Sequence, residues 1–318
     1  MKAVVIGGGS WGTAFSTLLR DRGHEVVLAC RDPAQAEAIA QMGRNPRFQR
    51  DADLTGIAAC TISDAPVSAA DLVVLAVPST SFRSVVASLP GRAPVLSLTK
   101  GLDPATGDRL STLVRDRPVA VLSGPNIADE IVSGLPAAAV IAAADRELAV
   151  RLQREVTSTR FRVYVNDDIV GVELCAAAKN VIALAAGAAD GLGLGDNAKA
   201  ALVTRGLAEL RRLARVAGAS PDTFAGLAGM GDLVVTCWAT SGRNRRAGEL
   251  MGRGATASEA AAEIGMVVEG LTTAPILRDL ARRLRIEMPI TEGVCEVLEG
   301  LSLPDLLATL MEREPTSE

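Results

Sequence analysis

The chain has 318 residues, of which 48 % are hydrophobic and 22 % charged, with a formal net charge of −4. That length is too great for one ordinary core and predicts two domains. The acidic balance and the lack of any long basic run exclude nucleic acid and an anionic membrane as partners. Five cysteines, Cys30, Cys60, Cys175, Cys237 and Cys295, show no CxxC or Cys/His spacing. They read as reduced thiols of a cytosolic protein, with no metal site expected. The N-terminus, MKAVVIGGGS, runs from a short apolar stretch straight into glycines, unlike a signal peptide. No apolar run is expected to reach the length of a membrane span, because Lys179 interrupts the most hydrophobic stretch. A soluble, cytoplasmic chain follows as the expectation.

The first half alternates short apolar runs with helical segments. A strand over 2–6 enters Gly7-Gly8-Gly9-Ser10-Trp11-Gly12, which holds GxGxxG at Gly7, Gly9 and Gly12, and a helix follows over 13–22. The pattern alone is weak, but the strand–turn–helix context is that of a dinucleotide site. Gly7 permits the tight turn, Gly9 lets a pyrophosphate approach the backbone, and Gly12 lets helix and strand pack closely. The helix N-terminus then offers N–H groups to the phosphates. A second strand over 25–29 leads to Arg31, 19 residues beyond Gly12. An acidic residue near this position would accept the ribose hydroxyls of NAD, whereas a cation suits a 2′-phosphate and favours NADP(H), with NAD(H) still possible. Arg31 as a plain solvated arginine is the other reading. A helix over 33–41 and strands over 72–77, 95–99, 119–122, 137–142 and 162–165 complete the half. The near-continuous apolar runs suit a parallel sheet covered on both faces, so the fold class is α/β, a Rossmann-type doubly wound sheet.

The rhythm stops near Asn166, and an all-α C-terminal domain is expected. The division is 1–165, a dinucleotide-binding domain, and 166–318, a helical substrate-binding and catalytic domain. Asp168 is placed as the cap of a helix to about Gly187, and Asp196 as the cap of one ending at Gly218. Further helices fit 256–264, 273–283 and 291–299, and the charged tail after Met311 is expected to fray. The helix from Ile169 is apolar nearly all round and should be buried. Its polar residues are Glu173, Lys179 and Asn180. Glu173 and Asn180 share a face, but the neighbours of Lys179 three and four residues away are Val172, Cys175, Ala176, Ile182 and Ala183. Two readings fit. Either another segment or a ligand supplies a partner and desolvation tunes the lysine for acid–base work, or it snorkels along small alanines. The one histidine, His24, lies between helix and strand and reads as a turn residue, so proton transfer falls to lysine, carboxylate, tyrosine or cysteine. Gly229-Met230-Gly231-Asp232-Leu233 places a carboxylate on flexible backbone. Gly242-Arg243-Asn244-Arg245-Arg246 gathers donors suited to a phosphate. Taken singly, the first reads as a helix cap and the second as a solvated helix start.

Together these segments resemble the bacterial NAD(P)-dependent glycerol-3-phosphate dehydrogenases. The resemblance runs through residues 7–14, Ser123-Gly124-Pro125, Gly171-Val172-Glu173-Leu174-Cys175, Ala178-Lys179-Asn180, residues 193–206 (GLGDNAKAALVTRG), residues 226–232 (GLAGMGD) and Arg243-Asn244-Arg245. It spans the chain from the first strand to about Gly270. It implies reversible reduction of dihydroxyacetone phosphate to sn-glycerol 3-phosphate for phospholipid synthesis, by a homodimer acting on a small phosphorylated substrate without metal. By resemblance, Lys179 is the catalytic acid–base. Lys100 lies between cofactor and substrate, Asp232 touches the substrate hydroxyls, and Gly124 offers a backbone contact. Arg243 and Asn244 clamp the phosphate, and Arg243 also lies near the cofactor. Ser10, Trp11, Arg31, Ala128, Val267 and Glu269 match cofactor contacts. The chain departs from the family at Gly242, where serine is usual and only a backbone N–H remains. Asn126 stands where serine is common but keeps a donor, and 44–48 is unlike the usual adenine-side loop. The competing readings are a related dehydrogenase for another small acid or ketone, and a redox sensor that binds NADP without chemistry. The Arg243-Asn244 pair favours a phosphate, and a sensor has no need of the lysine–carboxylate set.

Overall fold

A computed structural model describes residues 1–306, so the tail after Met311 lies outside the described residues. The N-terminal part is built on an eight-stranded sheet of order β3-β2-β1-β4-β5-β6-β7-β8. The strands are β1 (Lys2–Ile6), β2 (Glu25–Cys30), β3 (Ala58–Thr61), β4 (Leu72–Leu75), β5 (Val95–Ser97), β6 (Val119–Ser123), β7 (Ala137–Ala143) and β8 (Phe161–Asn166). The first six follow the Rossmann order, with the switch point between β1 and β4. Alternation along each strand feeds two cores. Ala3, Val5, Val26, Leu28, Leu72 and Val74 face one side of the sheet, and Val4, Ile6, Ala29, Val73 and Leu75 face the other. Burial on both faces is why these strands read as unbroken apolar runs.

Two expectations about the sheet change. β3 was not foreseen, because Ala58–Thr61 is only partly buried and has no apolar run to mark it. β7 is antiparallel to β6, with Val121 opposite Ala142, whereas β8 is again parallel to β7. The link from Ser123 to Ala137 holds only the five-residue α4 (Ala128–Val132). The helices of this part are α1 (Ser10–Asp21), α2 (Pro33–Met42), α3 (Ser79–Ser88), α4 and α5 (Arg146–Val156).

From Ile169 the chain is helical: α6 (Ile169–Gly191), α7 (Gly195–Ala217), α8 (Pro221–Ala225), a π-helical turn (Leu227–Gly231), α9 (Asp232–Trp238), α10 (Arg243–Gly252), α11 (Ala257–Ile264), α12 (Glu269–Leu284) and α13 (Pro289–Leu298). Asp168 caps α6 through the Gly171 N–H at 2.8 Å. The helix ends at Gly191 rather than near Gly187, and Asp196 falls inside the first turn of α7 rather than capping it. At 23 residues and a mean hydropathy of 1.7, α6 does reach the length and composition of a membrane span, contrary to expectation. Its most apolar window is 83 % buried inside the protein, which marks a core helix.

Two compact units result, and neither is a continuous stretch of chain. The first is Met1–Ala176 with Gly218–Asp232, and the second is Ala177–Ala217 with Leu233 onward. In the first, Leu227 and Ala228 of the π-helical turn pack against Val121, Val140 and Ala142 of the sheet. Asp168 there accepts from Ser220 N–H and the Thr223 hydroxyl as well. In the second, α6 and α10 meet backbone to backbone through glycines. A Cβ at Gly248 would lie 1.9 Å from the Leu184 carbonyl oxygen, and one at Gly187 would lie 1.9 Å from that of Arg245.

Candidate active site

The glycine turn has the geometry a dinucleotide requires. Gly7 sits at φ +116°, and a Cβ there would strike the Ala76 carbonyl at 2.5 Å. A Cβ at Gly12 would lie 1.9 Å from the Gly7 carbonyl, so no larger residue lets α1 start this close to β1. Around Gly9, by contrast, no described atom beyond its immediate chain neighbours lies within 4 Å of a Cβ position. Gly9 caps α1 without any side-chain hydrogen bond, which leaves the first-turn N–H groups, Ser10 and Trp11 among them, directed at whatever approaches Gly9. The Trp11 ring itself packs into the protein, 5.6 Å from Phe15 and 6.4 Å from Phe161 between centroids, so its backbone is what faces a phosphate. Arg31 is exposed just past β2, and Ala128 begins α4 against the same core as α1. A pyrophosphate with a nearby ribose fits this set of N–H groups, open backbone and cation.

In the same unit, Lys100 follows β5, and its Nζ donates to Asp232 Oδ2 at 2.7 Å and to the Gly124 carbonyl at 3.2 Å. Ser123 Oγ adds a hydrogen bond to Asp232 Oδ2 at 3.2 Å. Asp232 is 1 % exposed, so its charge depends on these donors, with Lys100 the cation. It stands on the first residue of α9 rather than on flexible backbone as expected. Gly124, at φ +137°, spends its carbonyl on Lys100. Asn126 donates through Nδ2 to the Ala138 carbonyl at 3.1 Å, so one of its expected donors is already engaged. Its buried Oδ1 has no hydrogen-bond partner among the described residues.

In the second unit Lys179 is 5 % exposed, which removes the snorkelling alternative. Its Nζ donates to Thr236 Oγ1 at 2.8 Å. Thr236 was not picked out from the sequence. The available signal was its spacing, four residues after Asp232 on one helix. The neighbouring Asn180 accepts from Asn244 Nδ2 at 2.9 Å, and Asn244 Oδ1 accepts from Gly270 N–H at 2.8 Å. This ties α6, α10 and the start of α12 into one piece. Arg243 donates to the Val267 carbonyl at 2.7 Å, bringing together three residues expected at the cofactor, with Glu269 as the nearby charge. Although Arg243 is exposed as a side chain, the protein crowded around its guanidinium lowers its pKa, and the Glu269 charge opposes that shift. Gly242 caps α10, but its N–H donates to the Ala239 carbonyl at 3.0 Å. The backbone donor expected at Gly242 is thus already used, and the first-turn N–H groups of α10 are the next ones along the chain.

The outer supports of this unit are ionic. Asp190 accepts from Lys199 Nζ at 2.8 Å and from Arg245 Nε at 2.7 Å, and Lys199 Nζ also lies 5.0 Å from the Trp238 ring centroid. Arg245, expected beside the phosphate donors, is therefore directed to Asp190. Among the described residues no group of three or more His, Cys, Asp or Glu side chains could hold a metal ion.

The profile described as NAD-dependent glycerol-3-phosphate dehydrogenase N-terminus matches residues 2–149, and its C-terminus counterpart matches residues 168–308. Among curated proteins, glycerol-3-phosphate dehydrogenase (NAD(P)+) of Moorella thermoacetica is 48 % identical, covering 99 % of this chain and 96 % of that protein. The Nocardia farcinica protein of the same name is 44 % identical over 98 % of each. The crystal structure of glycerol-3-phosphate dehydrogenase from Coxiella burnetii superposes with a TM-score of 0.93 at 35 % identity, covering 98 % of this chain and 99 % of that one. The chain belongs to the NAD-dependent glycerol-3-phosphate dehydrogenase family.

Proposed function

We propose that this chain is an NAD(P)-dependent oxidoreductase that interconverts dihydroxyacetone phosphate and sn-glycerol 3-phosphate. In the cell it works in the direction that supplies glycerophospholipid synthesis, as a cytoplasmic homodimer preferring NADP(H). Residues 1–165 hold the dinucleotide, and 166–318 supply the substrate-binding and catalytic side chains. The observation that carries the reading is Lys179: a buried ammonium, on an otherwise apolar face, fixed by the Thr236 hydroxyl. Burial of that kind is unfavourable for stability alone and is characteristic of a group kept for proton transfer.

Bound there, reduced nicotinamide would supply the hydride for the ketone carbon. The chain's own residues manage charge and position. Lys179 donates a proton from Nζ to the oxygen that becomes the alcohol, and takes it back in the reverse direction. Asp232 and Lys100 orient the carbinol end, the carboxylate accepting from substrate hydroxyls while Lys100 neutralises it. Arg243, Asn244 and the first turn of α10 hold the phosphate, so binding energy remote from the carbonyl aligns the reacting carbon. The Ser10 and Trp11 N–H groups, Arg31, Ala128, Val267 and Glu269 line the dinucleotide. The exposed guanidinium of Arg31, where NAD readers place a carboxylate, supports the NADP preference.

The test is loss of reduced-nicotinamide absorbance on mixing protein with dihydroxyacetone phosphate and NADPH, with NADH in parallel and dihydroxyacetone as the phosphate-free control. Oxidation with dihydroxyacetone phosphate, faster with NADPH than with NADH and absent with the control, is expected. Equal rates with and without the phosphate would sink the substrate assignment.

A further inference from the structure

Asn45 is polar, lies in a loop, and is 0 % exposed. Its amide uses both of its ends. Nδ2 donates to the Gly8 carbonyl at 3.0 Å and to Thr13 Oγ1 at 2.8 Å. Oδ1 accepts from the backbone N–H groups of Arg47 at 3.1 Å and Phe48 at 3.2 Å, and from Gln35 Nε2 at 3.0 Å. Backbone N–H groups only donate, so the amide has one possible orientation. Gln35 Nε2 also donates to the Gly8 carbonyl, at 2.7 Å. The middle glycine of the dinucleotide turn is thus held from below by two amides, and one of them also fixes the loop after α2.

That loop carries Arg47, whose guanidinium carbon stacks 5.4 Å from the Phe48 ring centroid. Its backbone N–H is one hydrogen bond from Asn45, which is itself one hydrogen bond from Gly8. Arg31 is reached from the same glycine by another route. Cys30 Sγ presses so close that a Cβ on Gly8 would come within 2.5 Å, and Arg31 is the next residue. Both guanidiniums are exposed, and neither has an ion-pair partner among the described residues. Two exposed cations without an anion are thus tethered by short routes to one phosphate-binding turn, an arrangement that suits a dianion bound there.

We infer that Asn45 is a positioning residue for the dinucleotide turn, and that through it Arg47 stands beside Arg31 as a second, specificity-determining cation for the adenosine 2′-phosphate of NADP(H). The inference rests on the cofactor reading above and deepens it. A single arginine tolerates NAD, whereas two arginines make the 2′-phosphate the larger part of the adenosine-end binding energy.

The experiment is calorimetric titration of the full-length protein with adenosine 2′,5′-bisphosphate and with AMP, which differ only in the 2′-phosphate. Wild type, Arg47→Gln, Arg31→Gln and Asn45→Ala are compared, each with its thermal midpoint. Loss of one charge-assisted contact should weaken the bisphosphate about tenfold in Arg47→Gln, with AMP changed less than about twofold and the midpoint unmoved. Asn45→Ala should lose the same discrimination and weaken AMP as well, since the Gly8 turn loosens with it. Because Arg47 is exposed, its variant keeps the test open if Asn45→Ala fails to fold. An Arg47→Gln protein that keeps the wild-type ratio between the two nucleotides overturns the inference while leaving the cofactor reading intact. A folded wild type that binds neither nucleotide overturns both.

Discussion

In the proposed reaction Lys179 is the residue on which the chemistry turns, and its surroundings predict how it fails. Lys179→Ala should lower kcat by about 10²–10⁴-fold, the usual contribution of a placed acid–base group, with NADPH affinity preserved. Turnover at the wild-type rate would remove the lysine from the mechanism. Thr236→Val deletes the hydroxyl that Nζ donates to, and should lower kcat about tenfold while Thr236→Ser restores it. Equal loss in valine and serine would mean that packing, not the hydrogen bond, is what matters. How far this site was legible depended on the kind of signal. Lys179 stood out because helical periodicity put it among apolar neighbours, and the glycine turn because conformation demands those glycines. Thr236 and Asn45 carried no such mark, since a threonine on a short helix and an asparagine in a loop are unremarkable until their partners, distant in sequence, arrive. The supposed donor at Gly242 failed for the same reason: its N–H is claimed by Ala239, in a turn that composition does not reveal.

At the level of elements, the two α6–α10 glycine contacts replace side-chain packing with backbone proximity, and there is no slack in them. Gly248→Ala puts a methyl where the Leu184 carbonyl already lies and should destabilise by about 1–3 kcal/mol or more, read from denaturant midpoints. A change within ±0.5 kcal/mol, as for an ordinary surface site, would contradict the contact. The N-terminus of α13 offers a second test. Glu209 of α7 accepts from the Ile290 and Thr291 N–H groups and the Thr291 hydroxyl, yet burial pushes its pKa up to about 7 from an ordinary 4.5. An acid whose folded pKa is raised holds its proton longer in the folded state. Its contribution to stability is therefore most favourable below about 4.5 and declines as pH rises to about 7. Thermal midpoints across that window should fall with rising pH, and Glu209→Gln should flatten the slope; an unchanged slope would assign it to other groups. Strands buried on both faces were readable as apolar runs, whereas β3 was not, being half-buried, and the reversal of β7 was invisible because a strand's composition is the same in either direction.

For the whole molecule, the division into units was the least legible feature. A change of rhythm near Asn166 marks where strands give way to helices, and length and rhythm together carried the two-part plan. They did not reveal that 218–232 returns to the first unit after α7 has been made in the second. A fragment ending at Ala176 should therefore fail to fold as the sheet unit alone. It lacks Leu227 and Ala228, which cover Val121 and Val140, and Ser220 and Thr223, which satisfy Asp168. Circular dichroism and dye binding to exposed apolar surface would report this. A cooperative, native-like melt of that fragment would contradict it.

The returning segment also sets an order of events during synthesis. Every strand of the sheet has been translated by Asn166, but the carboxylate that neutralises Lys100 belongs to a residue made 66 positions later. At about 5–20 residues per second, the nascent chain spends several seconds with every strand made, one uncovered apolar patch and one part-buried cation awaiting its counter-charge. A ribosome-bound chaperone would find its target on this protein in that interval, before the first unit can close.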